Sequence, residues 1–264
     1  MKVPKIYHIG IPKTGTTTIQ HVLREDDRIN LIFAKRYFNS NRYFNFPTYP
    51  YFEEGKINIV SDESIAKTSS ARNSLITYLS RLKEVEEEAI IILTIREQID
   101  FLKSRYKHAV TYDDVTCSFT DWIASKHQLC YIDLAMYSNL YRTINMFFPK
   151  TNIKVLLYED LKNDFSLFMD SLYSIIDLVP PHFKEKVIKN QGGDAEMIYN
   201  QLVDNMKRLN SFEKTKVNQS DFLDWDWDQS YWRKLLKEIG KSNQNLVELE
   251  VIDQEKLKHY NYIF

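Results

Sequence analysis

The chain has 264 residues, 35 Lys and Arg against 36 Asp and Glu, and a formal net charge of −1. That length can bury one sizeable core, and the balanced charge argues against nucleic acid as the main partner. Two cysteines, Cys117 and Cys130, make neither a metal-ligand spacing nor a disulfide framework.

In chain order, "MKVPK" runs without an apolar leader-like stretch into "KIYHIG", a short strand that stops at Gly10. Ile19, Val22 and Leu23 then recur at helical spacing, so a helix follows the loop "IPKTGTT". "INIV" (Ile57 to Val60) is the second strand expected. "SSARNSLITYLSRLKEVEEE" reads as an amphipathic helix with Leu75, Leu79, Leu82 and Val85 on one face. "AIIILTI" (Ala89 to Ile95) has the unbroken apolar character of a central parallel strand, with a helix from about Gln98. "IKVLLYEDL" (Ile153 to Leu161) is a strand running into a helix that carries Phe165, Phe168, Leu172 and Ile176. Beyond Pro180-Pro181 the pattern is mainly helical, around Ala195 to Leu209 and Tyr231 to Leu249. The alternation predicts an α/β fold, a central parallel sheet flanked by helices, with a largely helical C-terminal part. No repeat or linker divides it, so a single domain over 1–264 is expected. Apolar runs are strand-sized, too short for membrane insertion, and a cytoplasmic protein is the expectation.

Gly10 and Gly15 have the spacing of a phosphate-binding loop, G-x-x-x-x-G-K-[ST]. The position after Gly15 is Thr16, however, and the loop's lysine is Lys13. A strand, a glycine-containing loop and a helix N-terminus make an anion site from converging N–H groups and the positive end of the helix dipole. Mg-nucleotide enzymes also need an acid at a strand end to hold the metal. Here strand 89–95 ends in Arg96, which repels a cation and attracts an anion. The pattern is that of a loop for a phosphate-type group with no metal required.

"PKTGTTTIQ" resembles the 5′-phosphosulfate loop of sulfotransferases that use 3′-phosphoadenosine 5′-phosphosulfate (PAPS). The resemblance implies that Lys13, Thr14, Gly15, Thr16, Thr17 and Thr18 bind the donor. "REQIDFLKSRY" is similar to the family's second motif, an arginine ending a central strand and a serine eight residues on. This implies that Arg96 and Ser104 hold the 3′-phosphate, by a forked guanidinium and a hydroxyl. "VLLYEDL" resembles a strand-to-helix segment of many members. "KVNQS" is similar to a late segment closing over the cofactor, which implies roles for Lys216 and Asn218. "REQ" in place of the usual arginine-x-proline favours bacterial and glycan-type relatives. PAPS is then the donor and the bisphosphate PAP the product.

Sulfuryl transfer needs a group to take the acceptor's proton. "IVSDESI" places Asp62 and Glu63 after a strand, and carboxyl ends of parallel strands line the ligand crevice. Glu63 is preferred over Asp62 as base. The same residues would also suit a helix cap. His108, one turn beyond Ser104, is the second-choice base, and His8 reads as a core histidine. The eight aromatics between Tyr37 and Phe52, interleaved with Arg42 and asparagines, suit either a sugar-binding loop or a loop stapled to the core. The expected acceptor is a small molecule or glycan, with a carbohydrate hydroxyl or amine preferred. A P-loop nucleotide or small-molecule kinase and a non-catalytic nucleotide-binding module stay open as alternatives.

Overall fold

Strand-sized apolar runs stopped by polar loops fold here into a parallel sheet. The computed structural model describes residues 5–33, 52–63, 65–66, 72–125, 129–182, 194–209, 219, 222–224 and 230–264. The stretch 36–51, Lys216 and Asn218 lie outside the described residues. The elements begin β1 (Ile6–Gly10), α1 (Thr16–Arg24), β2 (Ile29–Phe33), β3 (Ile57–Asp62), α2 (Arg72–Val85) and β4 (Ile90–Ile95). Then come α3 (Gln98–Tyr112), α4 (Phe119–Ala124), α5 (Leu129–Ala135) and α6 (Tyr137–Asn145). The chain continues through β5 (Ile153–Leu157), α7 (Tyr158–Asn163), α8 (Phe165–Ile175), α9 (Ala195–Arg208), α10 (Ser230–Glu248) and α11 (Gln254–His259).

Two compact units emerge, one of residues 1–96 and 137–189, the other of 97–136 and 190–264. The first holds the sheet, in the order β2-β3-β1-β4-β5. Every pair is parallel, with Ile9 opposite Asp62 and Leu93, and Gly10 opposite Thr94. All carboxyl ends therefore share one edge. The chain moves from β1 outward to β2 and later returns to place β4 on β1's other side, so β1 sits at the topological switch point. Ile6, Ile59 and Ile92 gather with Ile19, Val22 and Leu23 of α1 and with Phe165, Phe168 and Leu172 of α8. Each such side chain contributes about 1.5–3 kcal/mol on burial. The alternate strand residues Tyr7, Ile9, Val60, Ile91 and Leu93 are also buried, as expected of a parallel sheet covered on both faces. Helix α2 buries Leu75, Leu79 and Leu82 and packs on α6.

Strand β2 is an element that the hydrophobic pattern does not announce. "INLIF" is short and interrupted by Asn30, whose amide donates to Asn58 Oδ1 at 2.7 Å on the neighbouring strand. The turn into it is held by Asp26, which accepts from Arg28 N at 3.0 Å, Arg28 Nε at 2.9 Å and Tyr173 Oη at 3.0 Å. Strand β3 runs to Asp62, two residues beyond the Val60 limit expected from the sequence.

In the second unit, α3 opens at Glu97, whose carboxylate caps Ile99 N at 3.0 Å and Asp100 N at 2.8 Å. Its inner face buries Phe101, Leu102, Tyr106, Ala109 and Val110. Tyr106 packs against Phe119 and Trp122 at centroid distances of 5.5 and 5.6 Å. Asn205 of α9 donates to Val110 O at 2.8 Å and Val115 O at 3.0 Å, satisfying the end of α3. Gln98 and Asn243 exchange amide hydrogen bonds in the interior, tying α3 to α10.

Candidate active site

The loop after β1 is shaped by two residues in the left-handed region. Lys13 has φ 71° and Gly15 φ 84°. Positive φ is ordinary for glycine and uncommon for lysine. Alternation of left- and right-handed residues turns successive N–H groups toward one concavity, the geometry of an anion nest. Thr14 closes the turn from both its atoms, donating to Ile11 O from N at 3.3 Å and from Oγ1 at 2.7 Å. Gly15 is the N-cap of α1 and offers no side chain to cap it. The first-turn N–H groups of a helix have no acceptor within the helix, so here they face the loop with the dipole behind them.

Both glycines are required by close approach. A Cβ at Gly10 would lie 2.5 Å from Thr16 Oγ1, and one at Gly15 would lie 2.5 Å from Leu161 Cδ2 and 3.2 Å from Tyr158 Cδ2. The "YEDL" segment thus buttresses the loop. The sequence pattern placed it only as a strand-to-helix junction, and Tyr158 and Leu161 were not singled out as site residues.

Arg96 follows β4 directly. Its Nη1 donates to Lys13 O at 3.2 Å, and its Cζ lies 4.6 Å from the Tyr158 ring centroid. Tyr137 Oη donates to Arg96 O at 2.7 Å. The guanidinium is therefore stacked, held by its own backbone and hydrogen-bonded to the crown of the loop. Arg96 and Lys13, 83 residues apart in sequence, share one site.

Asp62 ends β3 with only 2% of its surface exposed, and Glu63 follows in a turn, half-buried. Ser61 and Asp62 are strand residues, and the next described helix begins at Arg72, so these two do not cap it. Beneath this edge His8 is buried, with Nδ1 2.8 Å from Ser61 Oγ and Nε2 3.3 Å from Thr94 Oγ1. Burial pulls its pKa down to about 4, which keeps the ring neutral. That is the core histidine expected from the sequence.

The first unit thus brings together the loop Lys13–Thr18, Arg96 and the acidic end of β3 at one sheet edge. Ser104 and His108 belong to the second unit, both half-buried on α3, with the His108 ring 4.7 Å from that of Tyr112. Among the described residues no three His, Cys, Asp or Glu side chains gather in a metal-binding arrangement. No described helix is long and apolar enough to cross a membrane.

Comparison with known proteins adds the family. The sulfotransferase domain family matches residues 4–258. No curated protein matches the chain by sequence. Among solved structures, a sulfotransferase from Alicyclobacillus acidocaldarius is similar in fold, with TM-score 0.58 and 14% identity over 88% of this chain and 100% of that one. A mouse sulfotransferase, SULT7A1, complexed with PAP, has TM-score 0.50 and 11% identity over 99% of this chain and 89% of that one. With the loop, the strand-end arginine and a family match over nearly its whole length, the chain belongs to the sulfotransferase family and is a sulfuryl-transferring enzyme.

Proposed function

We propose that this protein transfers a sulfuryl group from PAPS to a carbohydrate hydroxyl or amine. The observation that carries the donor half is the loop: two glycines that leave no room for a Cβ, an uncapped helix N-terminus, and Arg96 fixed against the crown. These features fit a phosphosulfate. PAPS, when bound, supplies the sulfuryl group and a bisphosphate leaving group. On this reading the N–H groups and hydroxyls of Thr14, Gly15, Thr16, Thr17 and Thr18 hold the 5′ end. Lys13 offsets negative charge developing on the leaving oxygen. Arg96 and Ser104 hold the 3′-phosphate, while Lys216 and Asn218 cover the cofactor.

Glu63 is the proposed base. It stands just past the β3 edge with a half-buried side chain, whereas Asp62 is almost wholly enclosed within the strand. Asp62 and His108 are the residues to test next. A carbohydrate acceptor is supported by the aromatic and amide-rich stretch Tyr37 to Phe52. The free thiols Cys117 and Cys130 support a cytoplasmic setting. The continuous family match over 4–258 supports a single sulfotransferase domain built from both units.

The test is ligand-dependent stability. PAP raises the melting temperature by binding the native state alone, and EDTA leaves that rise intact. Stabilisation by Mg-ATP with none by PAP would instead establish the kinase alternative. Labelled PAPS offered to a panel of sugars and small alcohols then identifies the acceptor, and transfer to non-sugar alcohols alone overturns the carbohydrate assignment. PAP binding without transfer to any acceptor means a non-catalytic module.

A further inference from the structure

The α1-facing side of the sheet changes character along its strands. Its inner layer is Ile6, Ile59 and Ile92, all part of the apolar core. Two residues further along β1, β3 and β4 come His8, Ser61 and Thr94, which are 1%, 1% and 0% exposed. Two residues beyond these are Gly10, Glu63 and Arg96, the loop glycine, the proposed base and the strand-end arginine. The strands are staggered, with His8 opposite Ser61 and Ile92 and with Gly10 opposite Thr94, so these three side chains make a polar cluster within the apolar sheet face, beneath the residues of the site.

That cluster is joined across strands and to the loop helix. His8 meets Ser61 Oγ at 2.8 Å and Thr94 Oγ1 at 3.3 Å. Gln20 of α1 donates from Nε2 to Ser61 Oγ at 3.0 Å and to Ser61 O at 3.4 Å. A neutral imidazole has one donor and one acceptor nitrogen, and a hydroxyl on each side serves either tautomer. Three valines or isoleucines would fill this space without hydrogen-bonding requirements, and a polar interior is tolerable only when satisfied. Stability alone therefore does not account for this choice of residues. What the polar cluster adds is a directional tie between the helix whose N-terminus forms the loop and the strand that ends at Asp62, next to Glu63.

We propose that Gln20, Ser61, His8 and Thr94 form a positioning relay that couples occupation of the anion loop to the placement of the acidic end of β3. Gln20 and His8 are then positioning residues for sulfuryl transfer, acting through Ser61. The inference rests on the reading of the site as a PAPS centre.

Amide hydrogen exchange on the whole protein, with and without PAP, tests it. In the unaltered protein PAP slows exchange over Ile57 to Glu63. The half-buried position of Gln20 makes Gln20→Met the mild lesion. It keeps the melting-temperature rise on PAP binding and loses the protection over 57–63. Turnover falls by about 2- to 10-fold, the worth of one buried hydrogen bond, while KM for PAPS stays constant. Ser61→Ala behaves alike, Ser61→Thr restores the hydroxyl and the coupling, and the Gln20→Met/Ser61→Ala double variant is no worse than either single one. Overturning results are PAP-dependent protection of 57–63 that survives Gln20→Met, or variants that lower only the melting temperature. PAP stabilisation of the unaltered protein without protection at 57–63 rejects the relay alone. No stabilisation by PAP rejects the site reading, and the relay with it.

Discussion

The two ends of helix α1 handle charge in opposite ways. At its C-terminal end Asp26 is buried and closed on itself, with Arg28 Nη2 2.7 Å from Oδ2, Nε 2.9 Å from Oδ1 and Tyr173 Oη 3.0 Å from Oδ2. Arg28 goes on to donate to Val179 O at 2.9 Å. At its N-terminal end no side chain caps the helix, and Gly15 and Lys13 hold left-handed backbone that directs N–H groups to one place. The first arrangement spends its polar groups on one another. The second keeps a donor array pointed into the concavity of the loop, whose backbone is drawn so close to Thr16, Tyr158 and Leu161 that neither glycine has room for a Cβ. A charged cluster satisfied from within is architecture, and a donor array shaped around a space indicates a ligand.

From that contrast, lesions at the N-terminal end and the site around it are expected to change chemistry, and lesions at the C-terminal end to change stability. The largest effect is expected at Glu63. Glu63→Gln keeps the side chain's shape and lowers turnover by about 10²–10⁴-fold, the usual worth of general-base work, with PAP binding unchanged in calorimetry. Near-full activity there combined with loss in Asp62→Asn moves the base one residue earlier, and activity in both moves it to His108. Lys13→Ala lowers turnover by about 10²–10³-fold, as loss of a transition-state donor does, and changes PAPS affinity much less.

Arg96→Ala comes next. Loss of its charge-assisted bond weakens PAP binding by about 1.5–3 kcal/mol and barely affects an analogue lacking the 3′-phosphate. Because Arg96 also holds Lys13 O, equal weakening for both ligands would show that it works on the loop rather than on that phosphate.

The smallest effect in this series belongs to Asp26. Asp26→Asn lowers stability to urea by about 1–2 kcal/mol, as loss of a charged hydrogen-bond partner does, and leaves PAP affinity and turnover intact. The hydrogen bond from Arg28 holds the Asp26 pKa below its ordinary value. A carboxylate with a depressed folded-state pKa contributes stability above the unfolded value of about 3.9, and that contribution is lost as pH falls through the lower folded value. Unfolding midpoints of the unaltered protein and Asp26→Asn should therefore differ at neutral pH and converge at acid pH. A constant difference down to the acid limit would assign the effect to packing.

The loop, the central strands and the strand-end arginine were legible in the sequence because each follows from local pattern. Gly10 and Gly15 mark close approaches, "IIILTI" marks a strand covered on both faces, and Arg96 stands at the end of one. Strand β2 escaped because five residues broken by Asn30 carry too little periodicity, and its place is set by Asn58 and Asp26 across the fold. Helices α4 and α5 have 6 and 7 residues, too few turns for a 3.6-residue period to stand out, whereas α6 is as long as α1 and its buried Tyr137, Leu140, Tyr141 and Ile144 carry a helical spacing that went unread. The buried partners of His8 lie 53 and 86 residues away, and the Tyr158–Gly15 contact is equally non-local. Local pattern shows that His8 is interior but not which hydroxyls receive it.

Lys13 has one more consequence. Its φ of 71° is a conformation that glycine adopts freely and that costs another L-residue roughly 1–2 kcal/mol. Lys13→Gly should therefore fold at least as well as the natural chain, gaining about 1 kcal/mol of backbone relief less the extra entropy of glycine, while losing turnover. A selection for thermal resistance alone would tolerate that change, whereas a selection for turnover is expected to reject it. On the proposed reading, the strained lysine records a compromise in which stability has been given up at one backbone position so that its positive charge can serve the leaving oxygen.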